Sequence, residues 1–170
     1  MFIFSVDEQK LVRTIDIGAA PMGLLYPEHG DYFFVSSIKD KAITVLRKAR
    51  DPQDVEIVGK VNYGRFRHMA LSRDGRTLFA PVYEQREIAV IDVEALKVVK
   101  AFKLDEGCSL IATSPVGNDI YAVGYDSGKV YVLDAGTGEL LRTITTHGEF
   151  RDIKVILEAD KPPLKTASAG

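Results

Sequence analysis

Cationic side chains occur in the same sequence context at two places in the chain. Residues 64–68 (GRFRH) contain Arg65, Arg67 and His68, and residues 148–152 (GEFRD) contain Arg151, 84 positions after Arg67. Arginine suits bidentate contacts with oxyanions, and histidine can act as an acid, a base or an axial ligand. These four residues predict a site for a small anion or for the carboxylates of a cofactor. The alternative is that they are solvated loop residues balanced by neighbouring acidic residues.

Other residue types that carry out chemistry do not form a recognised motif. The only cysteine, Cys108, is expected to be a small residue near the start of a strand, and His29 and His147 are expected to be exposed in connections. Three aspartates are expected to form backbone hydrogen bonds at strand ends and turns: Asp92, Asp126 and Asp134. No haem-attachment, phosphate-loop, serine-hydrolase, zinc or calcium motif occurs. The sequence therefore assigns no catalytic residue and no metal ligand, and it identifies no cofactor.

The sequence pattern of residues 68–104 indicates the strands and turns that position these side chains. This stretch contains four short apolar runs separated by the polar turns RDGR, EQRE and EALK, a pattern typical of a four-stranded antiparallel sheet. The same order recurs every 42 to 46 residues. The predicted boundaries are 19–64, 65–107 and 108–148 for three complete units, 2–17 and 149–157 for the strands of a split unit, and 158–170 for a flexible tail.

Repeats of this length with four strands each predict an all-β fold, a β-propeller arc of about four antiparallel four-stranded blades, three complete and one split between the two ends of the chain. A β-sandwich or an accidental meander would also give closely spaced strands. Neither predicts the glycine that precedes each first strand: Gly18, Gly64, Gly107 and Gly148. The first strand of a blade lies nearest the central channel, so the four candidate residues are expected at the channel mouth.

Two segments carry a family resemblance. Residues 72–83 (SRDGRTLFAPVY) and 118–125 (NDIYAVGY), with the strands that follow them, resemble the repeats of YVTN-type β-propellers. That group includes propellers similar to the d1-haem domain of cytochrome cd1 nitrite reductase, and the resemblance covers residues 2–157. WD-repeat proteins are a poorer match because tryptophan is absent and no Gly-His pair precedes the first strands.

The resemblance implies a role for the channel. In the d1-haem domain, arginines near the channel contact the cofactor and histidines lie over its iron, and only His68 falls at a comparable position here. The resemblance also implies a periplasmic or secreted protein, although residues 1–10 lack the pattern of a signal peptide. The motifs that carry the resemblance are structural, so they do not by themselves assign a ligand.

Composition limits the classes of partner. The net charge is −2, from 22 basic and 24 acidic residues without a polybasic run, so we expect no nucleic-acid partner. No apolar run is long enough to cross a membrane, and we expect no membrane partner. The partners that remain are another protein or a small anionic ligand.

The number of blades leaves three arrangements open. Propellers typically have about four to eight blades, whereas this chain has three complete blades and parts of a fourth. The chain could close on itself as a four-bladed ring, form part of a longer protein, or form half of a ring completed by a second copy. The last two are favoured because similar propellers usually have about seven or eight blades. Uncovered blade faces predict self-association.

Two function classes follow from these observations. The first is a non-catalytic binding or scaffold module, which is favoured because no catalytic set can be assembled from the sequence. The second is the cofactor-binding part of an oxidoreductase with an anion-binding channel mouth. The fold alone does not decide between them, and the sequence leaves open whether the protein is an enzyme.

Overall fold

A computed structural model of the chain describes residues 1–146 and 150–156. These residues form fourteen β-strands and two short 3-10 turns, Pro52–Asp54 and Tyr83–Gln85. The strands are β1 (Phe2–Ser5), β2 (Lys10–Thr14), β3 (Pro21–Leu25), β4 (Tyr32–Ser37), β5 (Ala42–Arg47), β6 (Glu56–Asn62), β7 (Ala70–Leu71), β8 (Thr77–Val82), β9 (Glu87–Asp92), β10 (Lys97–Lys103), β11 (Cys108–Thr113), β12 (Asp119–Gly124), β13 (Val130–Asp134) and β14 (Leu140–Ile144). Within the described ranges, no helix is long and apolar enough to cross a membrane.

The strands form three four-stranded antiparallel sheets and one hairpin. Blade 1 contains β3–β6, blade 2 contains β7–β10, blade 3 contains β11–β14, and the N-terminal hairpin pairs β1 with β2. In each sheet the strands follow one another in chain order, so every connection is short and joins neighbours. The predicted all-β class and the arc of antiparallel blades are confirmed.

Turn chemistry ends the strands where the sequence predicts. Between β7 and β8, Gly75 has a φ of +73°, and the Asp74 carboxylate accepts the amide of Arg76 at 3.1 Å. Between β13 and β14, Gly138 has a φ of +78°, and Asp134 accepts the amide of Thr137 at 2.7 Å. Positive φ favours glycine, and a carboxylate that accepts nearby amides closes the turn.

Alternate residues of each strand face the blades on opposite sides, and the apolar contacts on both sides hold the blades together. In β8, Leu78 belongs to the core between blades 1 and 2, whereas Phe79 belongs to the core between blades 2 and 3. The same alternation holds in β9, where Ile91 faces blade 1 and Val90 faces blade 3. A strand has a side-chain period of two, so a blade with neighbours on both sides needs apolar residues on both faces.

The N-terminal hairpin covers the free side of blade 1. Ile3 and Ile15 pack with Phe33 and Val35 of β4, and Arg13 donates to the carbonyl oxygen of Val55 at 2.6 Å. The hairpin thus takes the position of the last two strands of a blade that precedes blade 1. Among the described residues, no strand takes the first two positions of that blade.

The first strand of blade 2 is shorter than the sequence predicts. A strand is expected at 68–72, but β7 contains only Ala70 and Leu71. In β8, the carbonyl oxygen of Thr77 accepts the amide of Ser72, so the backbone polar groups of Thr77 are directed toward the first strand. Backbone polar groups alternate in direction along a strand, so those of Phe79 and Pro81, two and four residues later, are directed the same way. Pro81 has no amide hydrogen to donate there. Proline cannot donate to a ladder. Pairing is therefore lost opposite His68.

The strand predicted at the C-terminal end is not formed. Residues 150–156, the described part of the predicted 149–157 strand, have no regular secondary structure. Ile153 nevertheless packs against Leu110, Val123 and Val130 on the free face of blade 3. A strand needs a hydrogen-bonded neighbour, and the described residues supply no second strand for this unit. The predicted tail, 158–170, lies outside the described residues.

Candidate functional site

Two kinds of connection meet at one end of the arc. In an antiparallel meander, the connection after a second strand and the connection before a first strand lie at the same end of the blades. We call this the upper end. Residues 63–69 lie there between β6 and β7, Tyr83–Gln85 lies there after β8, and residues 125–129 lie there after β12.

The backbone of Arg67 is held between blades 1 and 2. The buried hydroxyl of Ser36 in β4 donates to the Arg67 carbonyl oxygen at 2.8 Å and accepts the Gly23 amide at 2.9 Å. A Cβ atom at Gly23 would lie 2.4 Å from the Arg67 carbonyl oxygen, so the close approach requires glycine. These contacts fix the point from which the Arg67 side chain extends.

The Arg67 side chain lies against two tyrosine rings. Tyr83 and Tyr125 meet edge to face, with ring centroids 5.2 Å apart and an interplanar angle of 73°. The guanidinium carbon of Arg67 is 5.5 Å from the centroid of Tyr83 and 5.1 Å from that of Tyr125. Both distances are within the range of a cation–π interaction. We call these three residues the tyrosine–arginine cluster.

The edge of the Arg67 guanidinium has no acidic partner within the part of the chain that the structure describes. The ion pairs formed there involve other cations, and Arg67 itself is half-buried. A guanidinium carries five N–H donors in its plane, and those of Arg67 donate no hydrogen bond to another described residue. The arrangement can therefore accept a carboxylate or another oxyanion along that edge.

Acidic groups set the charge around the two tyrosines. The Tyr83 hydroxyl donates to a carboxylate oxygen of Asp126 at 3.4 Å, and the negative charge of Asp126 raises the pKa of Tyr83. The carboxylate of Asp126 thus bonds a side chain, whereas a backbone role was expected. Tyr83 stays protonated near neutral pH and keeps its neutral ring toward Arg67.

Glu106 anchors the connection that carries Tyr125. Its carboxylate accepts the amides of Asp126 and Ser127 at 3.2 and 3.1 Å, the hydroxyl of Ser127, and the hydroxyl of Tyr131 at 2.7 Å. Burial favours the protonated acid, but hydrogen bonds from Ser127 and Tyr131 outweigh it, so the pKa of Glu106 is lowered. Glu106 is therefore a charged acceptor that positions Tyr125.

The structure places the four predicted site residues in different surroundings. Arg65 is exposed and pairs with Glu84, with 3.2 Å between nitrogen and oxygen. His68 is exposed and lines a cavity of about 380 Å³ on the channel side, between the first strands of the blades. Arg151 lines a separate cavity of about 510 Å³ that also contains Tyr125. Arg67 and Arg151 therefore share Tyr125 as a neighbour, whereas Arg65 and His68 lie elsewhere.

The tyrosines are the part of the site that sequence reasoning missed. Tyr83 and Tyr125 are 42 positions apart and end the segments FAPVY and YAVGY, so each follows a second strand in the same register. That repetition was the available signal. Glu106 gave no such signal because its partners lie about 20 to 25 positions away in the chain.

Other candidate groups have structural roles. Cys108 is buried, and burial raises the pKa of its thiol to about 12, which opposes thiolate chemistry near neutral pH. Asp92 accepts the amide of Ala95 at 2.7 Å, as expected for a turn. His29 is exposed in its turn, and His147 lies outside the described residues. Over the described ranges, no three histidine, cysteine or acidic residues are grouped to hold a metal ion.

Solved structures with similar folds are β-propellers. The structure of hydrazine synthase from Kuenenia stuttgartiensis has a TM-score of 0.68 and 23% identity, covering 81% of this chain and 38% of that chain. The structures of U3-55K and of the RRP9 WD40 repeats each have a TM-score of 0.66 and 14% identity. They cover 81% of this chain and 42% and 41% of theirs.

These similarities identify the fold as that of a β-propeller arc. At such identities they carry no information on activity, and the chain spans about two fifths of the length of the structures it matches. No protein-family model matches the sequence, and neither does any curated protein. The resemblance to YVTN-type repeats stays a prediction.

Proposed function

We propose that this chain is a non-catalytic β-propeller binding module whose upper end binds an anionic group at the tyrosine–arginine cluster. The observation that carries the proposal is the position of Arg67, whose guanidinium carbon lies within 5.5 Å of the ring centroids of both Tyr83 and Tyr125 and which has no acidic partner among the described residues. The ligand is a carboxylate or a similar oxyanion, presented by a protein partner or by a small molecule. Propeller blades that follow the YVTN pattern would supply the rigid frame for such a site.

Calorimetric titration tests this proposal. We expect an acidic peptide or sulfate to bind the wild-type chain in a salt-sensitive way, because dissolved ions screen the attraction between a ligand anion and a half-buried guanidinium. Arg67→Ala should weaken binding by about tenfold or more, since a charge-assisted bidentate contact is lost. Arg67→Lys keeps the charge but removes the planar fork, so it should recover only part of the affinity.

Arg73→Ala is the matched control. Arg73 is exposed in the turn between β7 and β8, at the opposite end of the blade, and its loss should leave binding unchanged. Equal binding by Arg67→Ala and wild type would mean that Arg67 is an ordinary surface cation. Peptide binding without sulfate binding would favour a protein partner. A porphyrin with propionate groups tests the cofactor alternative, in which His68 would approach the iron from the channel side.

Self-association is the second part of the proposed role. Phe2 and Phe4 in β1 are largely exposed, and they leave one face of the N-terminal hairpin apolar and uncovered. An exposed apolar sheet face of this kind favours association with another surface. We therefore propose that the ends of the arc, as well as its upper end, are binding surfaces.

A further inference from the structure

We infer that two copies of this chain associate head to tail, so that the N-terminal hairpin of one copy joins residues 150–156 of the other in a shared blade. The inference rests on the proposed self-association and adds the partner and the strands involved. We call the exposed face of the N-terminal hairpin the head and the face of blade 3 directed away from blade 2 the tail. In the tail, Tyr121 is half-buried, and Leu110, Val123 and Val130 are buried beside Ile153.

The head repeats a surface that is buried elsewhere in the same chain. Phe2 and Phe4 are 67% and 64% exposed. They lie 129 positions before Tyr131 and Leu133, in a segment where LVRTI matches LLRTI without a gap. Tyr131 and Leu133 are buried in the core between blades 2 and 3. The head therefore has the residues that, in blade 3, cover the preceding blade.

The tail repeats the complementary surface. Tyr121 and Val130 on the free side of blade 3 lie 42 positions after Phe79 and Ile88, which pack against blade 3 from blade 2. Val130 is buried and Tyr121 packs beside it, together with Leu110 and Val123. The tail thus has the residues that, in blade 2, receive the following blade.

Residues 150–156 already lie where the following blade would begin. Ile153 packs on blade 3, and it lies 84 positions after Met69 and 42 after Ile111. Met69 packs on blade 1 and Ile111 packs on blade 2 in the same way. This segment therefore occupies the first-strand position of a fourth blade, and the head of another copy offers the third and fourth strands.

The repeat relation gives both contacts of a two-copy ring the same geometry, and the ring closes when each blade step is about one eighth of a turn. The step from the tail of one copy to the head of the next is the same step that relates blade 2 to blade 3, so two copies give two identical contacts. Each copy supplies three complete blades and parts of two shared ones, so two copies give about eight blade positions, within the range known for propellers. A contact between unlike surfaces forms a closed assembly when its rotation closes. The described residues of the same chain leave the head uncovered, with Phe2 and Phe4 exposed.

Sedimentation velocity with three variants tests the inference. Phe4→Asp places a charge on the head and Tyr121→Asp places one on the tail, whereas Val116→Asp alters a residue of matched exposure, 63%, in a turn away from both. We expect a wild-type dimer at about 100 µM, and a loss of association of at least about thirtyfold for the head and tail variants. Val116→Asp should behave as wild type.

A mixture of the two variants separates this arrangement from others. Phe4→Asp retains an intact tail and Tyr121→Asp retains an intact head, so an equimolar mixture should form dimers through one intact contact although each variant alone is monomeric. A monomeric wild-type chain would overturn the proposed self-association as well. A wild-type dimer that Phe4→Asp disrupts and Tyr121→Asp does not would keep self-association but overturn the head-to-tail contact. Loss of the dimer in Val116→Asp, or no recovery in the mixture, would also overturn it.

Discussion

At the scale of single residues, the site depends on groups that hold Arg67 and Tyr125 in place. Ser36 fixes the carbonyl oxygen of Arg67, and Glu106 fixes the connection that follows Tyr125. A positioned side chain loses less conformational entropy on binding than a mobile one. Loss of either anchor should therefore weaken a ligand contact that it does not itself make.

The stability contribution of Glu106 should depend on pH. Its pKa lies below the ordinary value of 4.5, so the folded state favours the carboxylate, and the contribution is present above that value and is lost as pH falls through the folded pKa. Glu106→Gln should cost about 1 kcal/mol near neutral pH, because Glu106 is only partly buried and its hydrogen bonds are partly screened. Urea unfolding across acidic and neutral pH measures the difference between the two proteins.

That difference should shrink as the solution becomes more acidic. A difference that stays constant with pH would show that the variant acts through packing rather than through the charge of Glu106. The direction follows because only the wild-type residue loses a proton-dependent interaction in acid, while glutamine does not titrate.

At the scale of elements, the first strand of blade 3 and the turn after β8 approach each other at Gly107. A Cβ atom there would lie 2.4 Å from the ring of Tyr83 and 2.5 Å from its carbonyl oxygen. The backbone at Tyr83 cannot move away without shifting β8. Glycine therefore precedes the first strand of blade 3 because a larger residue at position 107 would clash with Tyr83 of the tyrosine–arginine cluster.

Gly107→Ala should therefore both destabilise the protein and weaken anion binding. We expect a loss of about 1 to 3 kcal/mol of unfolding free energy, typical of overpacking, together with weaker binding because Tyr83 moves away from Arg67. Thermal unfolding and calorimetry measure the two effects. Gly117→Ala is the control, since its added Cβ would lie 3.3 Å from the Ser114 hydroxyl, a looser contact than those at Gly107, and should cost less stability. Similar effects in both variants would argue against a specific contact at Tyr83.

The sequence predicts most elements because local pattern and tertiary environment agree in them. Apolar runs bounded by turn residues gave the strands of all three blades, and the turn at Asp74 and Gly75 was found from its residues alone. The prediction failed for residues 150–156, because their strand depends on a hydrogen-bonding neighbour rather than on their own pattern. The predicted strand at 68–72 was too long, because Pro81 in β8 is directed toward the first strand and has no amide hydrogen to pair with it.

The candidate site was predicted less completely than the fold. Repeat register identified Arg67 and Arg151 as equivalent positions, and both lie near Tyr125. Register did not show that Arg65 is paired with Glu84, because that pairing joins two different connections. Side-chain contacts across blades arise from stacking, and a repeat pattern in the sequence does not contain them.

At the scale of the whole molecule, the arc is a row of units that each contact only their neighbours. In such a row, stability is approximately the sum of unit terms and of the terms between neighbours. Blade 2 is covered on both faces, whereas the hairpin and blade 3 each have one face toward an end of the arc. The centre of the row should therefore be its most stable part.

Pro81 makes one exception to that order, and it should be visible as amide hydrogen exchange. β7 has two residues, whereas β3 and β11 have five and six, so the channel wall of blade 2 has fewer backbone hydrogen bonds than its neighbours. Exchange measured residue by residue should be slow in β9 and fast at residues 68 and 69, which lie outside β7, and faster there than in β11. Pro81→Ala restores a donor opposite His68 and should slow exchange there. Equal protection of β7 and β11 in the wild type would contradict this account. If β7 is the less protected strand, the channel wall opens first at its middle blade. Solvent then reaches the backbone beside His68 while the rest of that blade remains closed.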